Sequence, residues 1–167
     1  PYFIEKIIDV KGRKIKQSFS LTNEETPRII DPRNAFIMTS LLKEVINSGT
    51  ARKAKSLKRD DIAGKTGTTN ELVDAWFAGF NPDVVTITWM GFDQPRSLGK
   101  HESGSRAALP IWIDYMRPII SEYPNKMVET PDGIIPLRIN PKNGMLANKD
   151  EDSIYEYFYD EFPPSDN

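Results

Sequence analysis

The chain has no cysteine and a single histidine in 167 residues. Without thiols there is no disulfide framework and no thiolate metal site, a composition that suits an extracytoplasmic protein without requiring one. The lone imidazole, His101, sits in the polar stretch 94–104 with no partner legible in the sequence, and reads as a surface residue rather than a base. Long apolar runs are missing as well. Nothing approaches the roughly 20 residues of a membrane helix, and no signal-peptide pattern is visible. Charge of one sign is also lacking. Lys and Arg number 22 against 24 Asp and Glu, for a net charge of −2 and a pI near 5.5. That balance argues against nucleic-acid binding through bulk positive charge. The length suffices for one domain with a real core.

What is present is a short, small-residued polar stretch, Ala63-Gly64-Lys65-Thr66-Gly67-Thr68-Thr69-Asn70, just before two strand-like apolar runs. Read as a strand it alternates, with Lys65 and Gly67 on one face and Thr66 and Thr68 on the other. Two glycines weaken a strand, and one common reason for them is close approach of another backbone. Exposed backbone groups, hydroxyls and a lysine suit an extended peptide ending in a carboxylate, paired as an added strand and held by charge-assisted bonds. A phosphate loop is excluded, because that motif needs glycine where Arg59 stands and a helix immediately afterwards. Two readings stay open on the triplet alone: an edge strand with chance residues, and the Lys-Thr-Gly element of the penicillin-recognising serine enzymes.

The flanks favour the second. Asn47-Ser-Gly-Thr-Ala51, Asp61-Ile-Ala-Gly-Lys-Thr-Gly-Thr-Thr-Asn70 and Asp74-Ala-Trp-Phe-Ala-Gly-Phe80 closely resemble the transpeptidase domain of class A penicillin-binding proteins, the bifunctional peptidoglycan synthases of bacteria. The resemblance continues through Trp89-Met-Gly-Phe-Asp93 and Ala107-Ala-Leu-Pro-Ile-Trp112. It reaches the tail at Pro131-Asp-Gly133, Ile139-Asn-Pro141, Gly144 and Glu156-Tyr-Phe158, and so covers nearly the whole chain. It implies an α/β (α+β) fold, an antiparallel sheet sandwiched by helices, of which only the C-terminal half is present. It implies a serine D,D-transpeptidase that cross-links stem peptides and is acylated by β-lactams. By motif position Lys65 and Thr68 would be catalytic, and Thr66, Gly67, Thr68 and Thr69 would bind substrate or β-lactam. Lys65 would supply positive potential, the Thr66 and Thr68 hydroxyls would hold the carboxylate, and Gly67 would leave room for the ligand backbone. The Thr68 N–H would form half of an oxyanion hole.

The same resemblance implies no cofactor and no metal. The partners it implies are peptidoglycan stem peptides, β-lactams and cell-wall assembly or activator proteins. The location it implies is the periplasmic face of the inner membrane. The chain begins at Pro1, which suggests a fragment whose membrane contact lies in an absent N-terminal anchor. Two upstream motifs of the family have no convincing match. Ser40-Leu-Leu-Lys43 has the Ser-x-x-Lys spacing, but Ser40 and Lys43 fall opposite an apolar stripe and are expected in solvent. Ser97-Leu-Gly-Lys100 comes after the key strand, and Ser165-Asp-Asn167 forms the last three residues. The chain is therefore expected to lack its nucleophile serine and to be inactive alone.

Along the chain, residues 2–19 read as a hairpin turning at Gly12, and 21–30 as a loop. Asp31-Pro32 opens a helix whose stripe of Ala35, Met38, Leu41, Leu42, Val45 and Ile46 is expected to face the core. Gly49 is expected to end it as a left-handed cap. Arg52, Lys53, Lys55, Lys58 and Arg59 read as a solvated linker. Asp74–Phe80 and Val84–Phe92 read as strands joined at Asn81-Pro82-Asp83, apolar on both faces and so of a kind covered on both sides. Ser103 or Ser105 is expected to cap a second helix with Ala108, Trp112, Tyr115, Met116 and Ile119 on its inner face, kinked near Pro110 and closed by Pro118 and Pro124. Ile134–Ile139 reads as a short strand. Tyr155, Tyr157, Phe158, Tyr159 and Phe162 are candidate anchors of an acidic end. The division expected is 1–125 for the partial transpeptidase domain and 126–167 for a C-terminal extension. With half a domain missing, an open strand edge and an apolar sheet face are expected, and with them self-association. A single-function carboxypeptidase or β-lactamase-like enzyme and a non-catalytic interaction module are the alternatives.

Overall fold

The computed structural model describes residues 4–17 and 28–166, so the expectation for 21–30 lies mostly outside the described residues. The chain divides into two compact units, Pro1–Asp31 and Pro32–Asn167. The first holds an antiparallel hairpin of β1 (Lys6–Ile8) and β2 (Lys14–Gln17), shorter than the apolar run suggested. Its turn passes through Gly12 at φ +78, a left-handed conformation that costs glycine nothing. Asp9 fixes the turn by accepting the N–H groups of Lys11 and Arg13, both at 2.8 Å. The tip is exposed, as a basic turn should be.

The second unit runs α1 (Pro32–Asn47), β3 (Ala63–Thr68), β4 (Ala75–Phe80), β5 (Val85–Met90), α2 (Leu109–Ile120), β6 (Ile134–Ile139) and β7 (Ile154–Tyr159). A short 3-10 helix, Arg52–Leu57, precedes β3, and a π-helical stretch, Gly104–Ala108, leads into α2. Strands β3, β4 and β5 form one antiparallel sheet in that order, with Gly67 opposite Trp76 and Trp76 opposite Trp89. The β4–β5 turn is held by Asn81, whose Oδ1 accepts from Val84 N at 2.7 Å. Strands β6 and β7 pair antiparallel as a separate ribbon.

Period-2 alternation puts Ala75 and Phe77 on the covered face of the sheet, beneath α2. Trp112, fully buried, meets Phe77 edge-on at 5.0 Å and donates its Nε1 proton to the Thr86 carbonyl at 3.1 Å. Thr88 Oγ1 bonds the Ala108 carbonyl at 3.0 Å, so hydroxyls rather than methyls dock the start of the helix. Leu109, Ile113, Met116 and Ile120 complete the inner face. Tyr115, expected there, is exposed, because the register from Leu109 places it outside the buried arc. Pro118 lies inside α2 rather than ending it, and neither Ser103 nor Ser105 caps with its side chain; their hydroxyls bond each other at 3.0 Å.

The other face of the sheet is open. Trp76 is 43%, Trp89 46% and Ile87 60% exposed. The apolar residues do lie on both faces, but the described residues cover one side only.

Helix α1 corrects the sequence reading more sharply. Only Ile46 of the expected stripe is buried, while Met38 and Leu41 are each 52% exposed. The helix turns Phe36, Thr39, Ser40 and Lys43 inward, onto an apolar cavity of about 130 Å³ shared with Phe80, Met127 and Tyr157. Ser40 and Lys43 are thus part-buried, not solvated. Of the rest of the stripe, Val45 packs against the core and Ala35 and Leu42 are half-buried, so the helix is rotated to leave Met38 and Leu41 outside and bring Phe36 and Ser40 in. Gly49 is not left-handed either. It lies so close to Val45 that an added Cβ would stand 2.8 Å from the Val45 Cα, which is why glycine is needed.

Candidate functional site

Among the described residues strand β3 is an edge: β4 pairs with one side of it, and no strand pairs with the other. Thr69 N donates to the Asp74 carbonyl at 3.1 Å, one step beyond the Thr68–Ala75 pair. In an antiparallel ladder residues alternate between bonding the neighbour and pointing away from it. The N–H and C=O groups of Thr68 and Thr66 therefore face the free edge. The sequence gains this arrangement from two strand-forming runs downstream and from Gly64, which could not be larger: a Cβ there would lie 2.7 Å from the Phe77 ring and 2.8 Å from the Ala78 carbonyl. At Gly67 an added Cβ would stand 3.2 Å from the Trp76 Cβ, on the open face.

The candidate residues converge on that edge. Lys65 Nζ donates to the Thr66 carbonyl at 2.9 Å, which places its charge at the edge. Thr66 Oγ1 shares a hydrogen bond of 2.9 Å with Thr50 Oγ1. Thr68 Oγ1 accepts from the backbone N–H of Gly104 at 3.0 Å, so its own proton remains to be donated. Thr69 differs from its neighbours. Its hydroxyl accepts from Asp74 N at 2.7 Å and fixes the turn at the end of β3.

Two contributors escaped the sequence reading. Thr50 lay within a quoted match without a role. Gly104 lay in a stretch read as a loop, yet a Cβ there would stand 2.4 Å from the Trp76 carbonyl oxygen and 2.6 Å from that of Gly67. No spacing rule joins residue 104 to residue 68; only the return of the chain over the sheet does.

Just before β3, Asp61 is held by Arg59 and Lys126. Arg59 donates to it at 2.9 and 2.6 Å, and also to the carbonyls of Ile120, Tyr123 and Pro124. Arg59 is thus an internal clamp, not part of a solvated linker. Burial pushes the Asp61 carboxyl up, but the Arg59 bonds, the Lys126 N–H and the Arg59 charge outweigh it, and the group titrates below the usual aspartate value.

The matches dismissed from sequence remain apart from the edge. Lys43 Nζ lies 3.9 Å from Met127 Sδ, and Ser97 Oγ accepts from Gly99 N. The Ser165 carbonyl accepts from Leu146 N, and Asn167 is outside the described residues. His101 is exposed. Among the described residues no group of acids and imidazoles could hold a metal ion, and no helix is long and apolar enough to cross a membrane.

Comparison with known proteins finds relatives along most of the chain. The chain is 48% identical over 162 residues to penicillin-binding protein 1A of Pseudomonas aeruginosa. It fits a fragment of a class A penicillin-binding protein. A second penicillin-binding protein 1A, from Neisseria lactamica, is 50% identical over 135 residues, and that of Aquifex aeolicus 46% over 149. The chain covers only 17–20% of the length of these penicillin-binding proteins. The crystal structure of penicillin-binding protein 1A from Haemophilus influenzae superposes with a TM-score of 0.78 at 32% identity, over 99% of this chain and 30% of that one. The fold is accordingly a partial penicillin-binding transpeptidase-like domain. No family model matches the chain.

Proposed function

We propose that this chain forms one wall of a serine D,D-transpeptidase site in peptidoglycan synthesis, with the nucleophile serine supplied from outside it. The observation that carries the reading is the free edge of β3, where Thr66 and Thr68 present backbone groups beside two hydroxyls and the Lys65 amine. A stem peptide aligns along this edge as an added strand. The Thr68 N–H, aimed outward, receives the carbonyl oxygen as it gains negative charge. A single donor of that kind is worth about 100- to 1,000-fold in rate. The hydroxyls of Thr66 and Thr68 donate to the terminal carboxylate, a charge-assisted contact. Lys65 adds positive potential and poises proton transfer to and from the serine. Gly67 keeps the open face of the strand low for the ligand. Thr69 borders the site and keeps the turn after Thr68 closed.

The reading places the whole protein at the periplasmic face of the inner membrane, acylated by β-lactams at the same serine and working with cell-wall assembly proteins. Intact-mass analysis after incubation with a penicillin tests it. The expected result is an adduct on the full-length protein and none on residues 1–167 alone. An adduct on residues 1–167 would mean that Ser40 or another serine here is reactive, and would overturn the assignment. In the full-length protein Thr68→Val is expected to weaken acylation by roughly 1.5–3 kcal/mol. Unchanged acylation kinetics would remove Thr68 from the carboxylate site.

A further inference from the structure

The Ser-x-x-Lys spacing that the β3 edge leaves unused, Ser40-Leu-Leu-Lys43, returns at the cavity beside α1. Phe36, Thr39, Ser40 and Lys43 are three and four residues apart and share one face of the helix. That face looks onto the cavity of about 130 Å³, walled elsewhere mainly by Phe80, Pro82, Met127 and Tyr157. The cavity is separate from the site described above. Phe80 pairs with Ala63, at the opposite end of the β3–β4 ladder from the Thr68–Ala75 pair. The strand between Ala63 and Thr68 spans about 17 Å.

Three charged side chains line the cavity, and two of them are already matched. Asp61 accepts twice from Arg59 and once from the Lys126 N–H. Lys126 Nζ bonds Asp83 at 2.5 Å. Lys43 is different. It is part-buried, and among the described residues it makes no ion pair. Its hydrogen-bond partner is the Met127 sulfur at 3.9 Å, a weak acceptor. Ser40, one turn earlier, is part-buried too, and its hydroxyl finds no partner among the described residues, whereas Thr39 beside it bonds back to the Ala35 carbonyl at 2.7 Å. A part-buried ammonium and a hydroxyl on one face, with the nearby carboxylate already committed to Arg59, lack the anion that would satisfy both. The walls define the rest of the ligand. An apolar cavity of about 150 Å³ holds one benzene ring, so this one takes a single ring or a short alkyl chain.

We propose that this cavity is a binding site for a small monocarboxylate whose apolar body is the size of one ring. The Lys43 ammonium and the Ser40 hydroxyl donate to the carboxylate, and the ring lies among Phe36, Phe80, Met127 and Tyr157. A bare anion satisfies the cation and leaves the apolar walls uncovered. A neutral ring covers the walls and leaves the cation unmatched. Affinity therefore needs both halves of the ligand. The site is independent of the chemistry at the β3 edge.

The test is calorimetric titration of the full-length protein with benzoate, with benzamide as the neutral probe and acetate as the ringless one. Benzoate is expected to bind saturably and about tenfold or more tighter than either, the size of a charge-assisted contact. Lys43→Met is expected to lower its affinity about tenfold, Ser40→Ala by less, and Lys43→Arg should keep most of it. Acylation by penicillin should stay within about twofold in all three variants, because the two sites are distant and share no partner. Prior acylation should leave benzoate binding unchanged, which separates the cavity from the carboxylate site at Thr66 and Thr68. No saturable benzoate binding up to about 10 mM, equal binding of benzamide, or full affinity in Lys43→Met would overturn the site. Loss of benzoate binding on acylation would place the benzoate at the β3 edge and overturn it as well. Should penicillin form no adduct, the transpeptidase reading fails alone, and Lys43→Met against the unsubstituted protein still decides this one.

Discussion

At Asp61 a carboxylate with no exposed surface meets an Arg59 side chain that is itself 11% exposed. Removing one partner of such a pair strands a buried charge, and Asp61→Ala is expected to cost about 3–5 kcal/mol in chemical unfolding. The pH dependence has a definite sign. The folded-state carboxyl titrates below its unfolded value, so its contribution is complete above the ordinary aspartate range and is lost as pH falls through the depressed folded value. The unsubstituted chain should lose stability on acidification below about pH 4, and Asp61→Asn should be less stable near neutrality with a flatter acid limb. Identical acid limbs would show that the pair is not what the strand rests on. Little of this was legible in the sequence. Arg59 sat in a basic cluster, and its four acceptors lie at Asp61 and, some sixty residues on, at the end of α2. Lys65, Thr66 and Thr68 were legible because a short strand with a fixed alternation states its own geometry. Thr50 and Gly104 were not, because their partners are reached only through the fold.

Among the elements, strands were read more faithfully than helices. Strands β3, β4 and β5 fall within a residue or two of their expected limits, since alternation and the Asn81-Pro82-Asp83 turn fix both register and ends. Strand β7 was missed as a strand. Its aromatic run reads as anchors, and of those Tyr155, Tyr157 and Phe162 are in fact exposed. The contact between β4 and α2 is tight enough to test directly. An added Cβ at Gly79 would stand 2.6 Å from Trp112 Cζ2 and 2.7 Å from Phe77 Cε1. Both rings are fully buried, so Gly79→Ala should destabilise the chain by about 1–3 kcal/mol in urea unfolding through overpacking. A cost below about 0.5 kcal/mol would mean that the rings can step aside, and that the packing under β4 is looser than this geometry implies.

For the molecule as a whole, the open sheet face and the exposed Met38 and Leu41 of α1 set its behaviour in solution. Val85, Ile87, Trp76 and Trp89 form one exposed apolar surface, a kind that seeks a cover. The isolated chain should associate with increasing concentration in sedimentation. Ile87→Lys should reduce that association while leaving the unfolding midpoint nearly unchanged, since the side chain is 60% exposed. A concentration-independent monomer without the substitution would contradict it. One contact made at the far end has a different consequence. Arg33, at the start of α1, holds Glu161 at 2.8 Å across 128 residues, stacks over the Tyr159 ring and is neighboured by the Phe36–Tyr157 pair. The Arg33 bond draws the Glu161 carboxyl down to about 2. This latch shuts the longest loop in the second unit, and loop closure is an entropy that must be met before the contact returns anything. The β6–β7 ribbon should therefore be the last part to dock as the chain folds and the first to let go. Its amides should exchange with solvent well before those beneath Trp112.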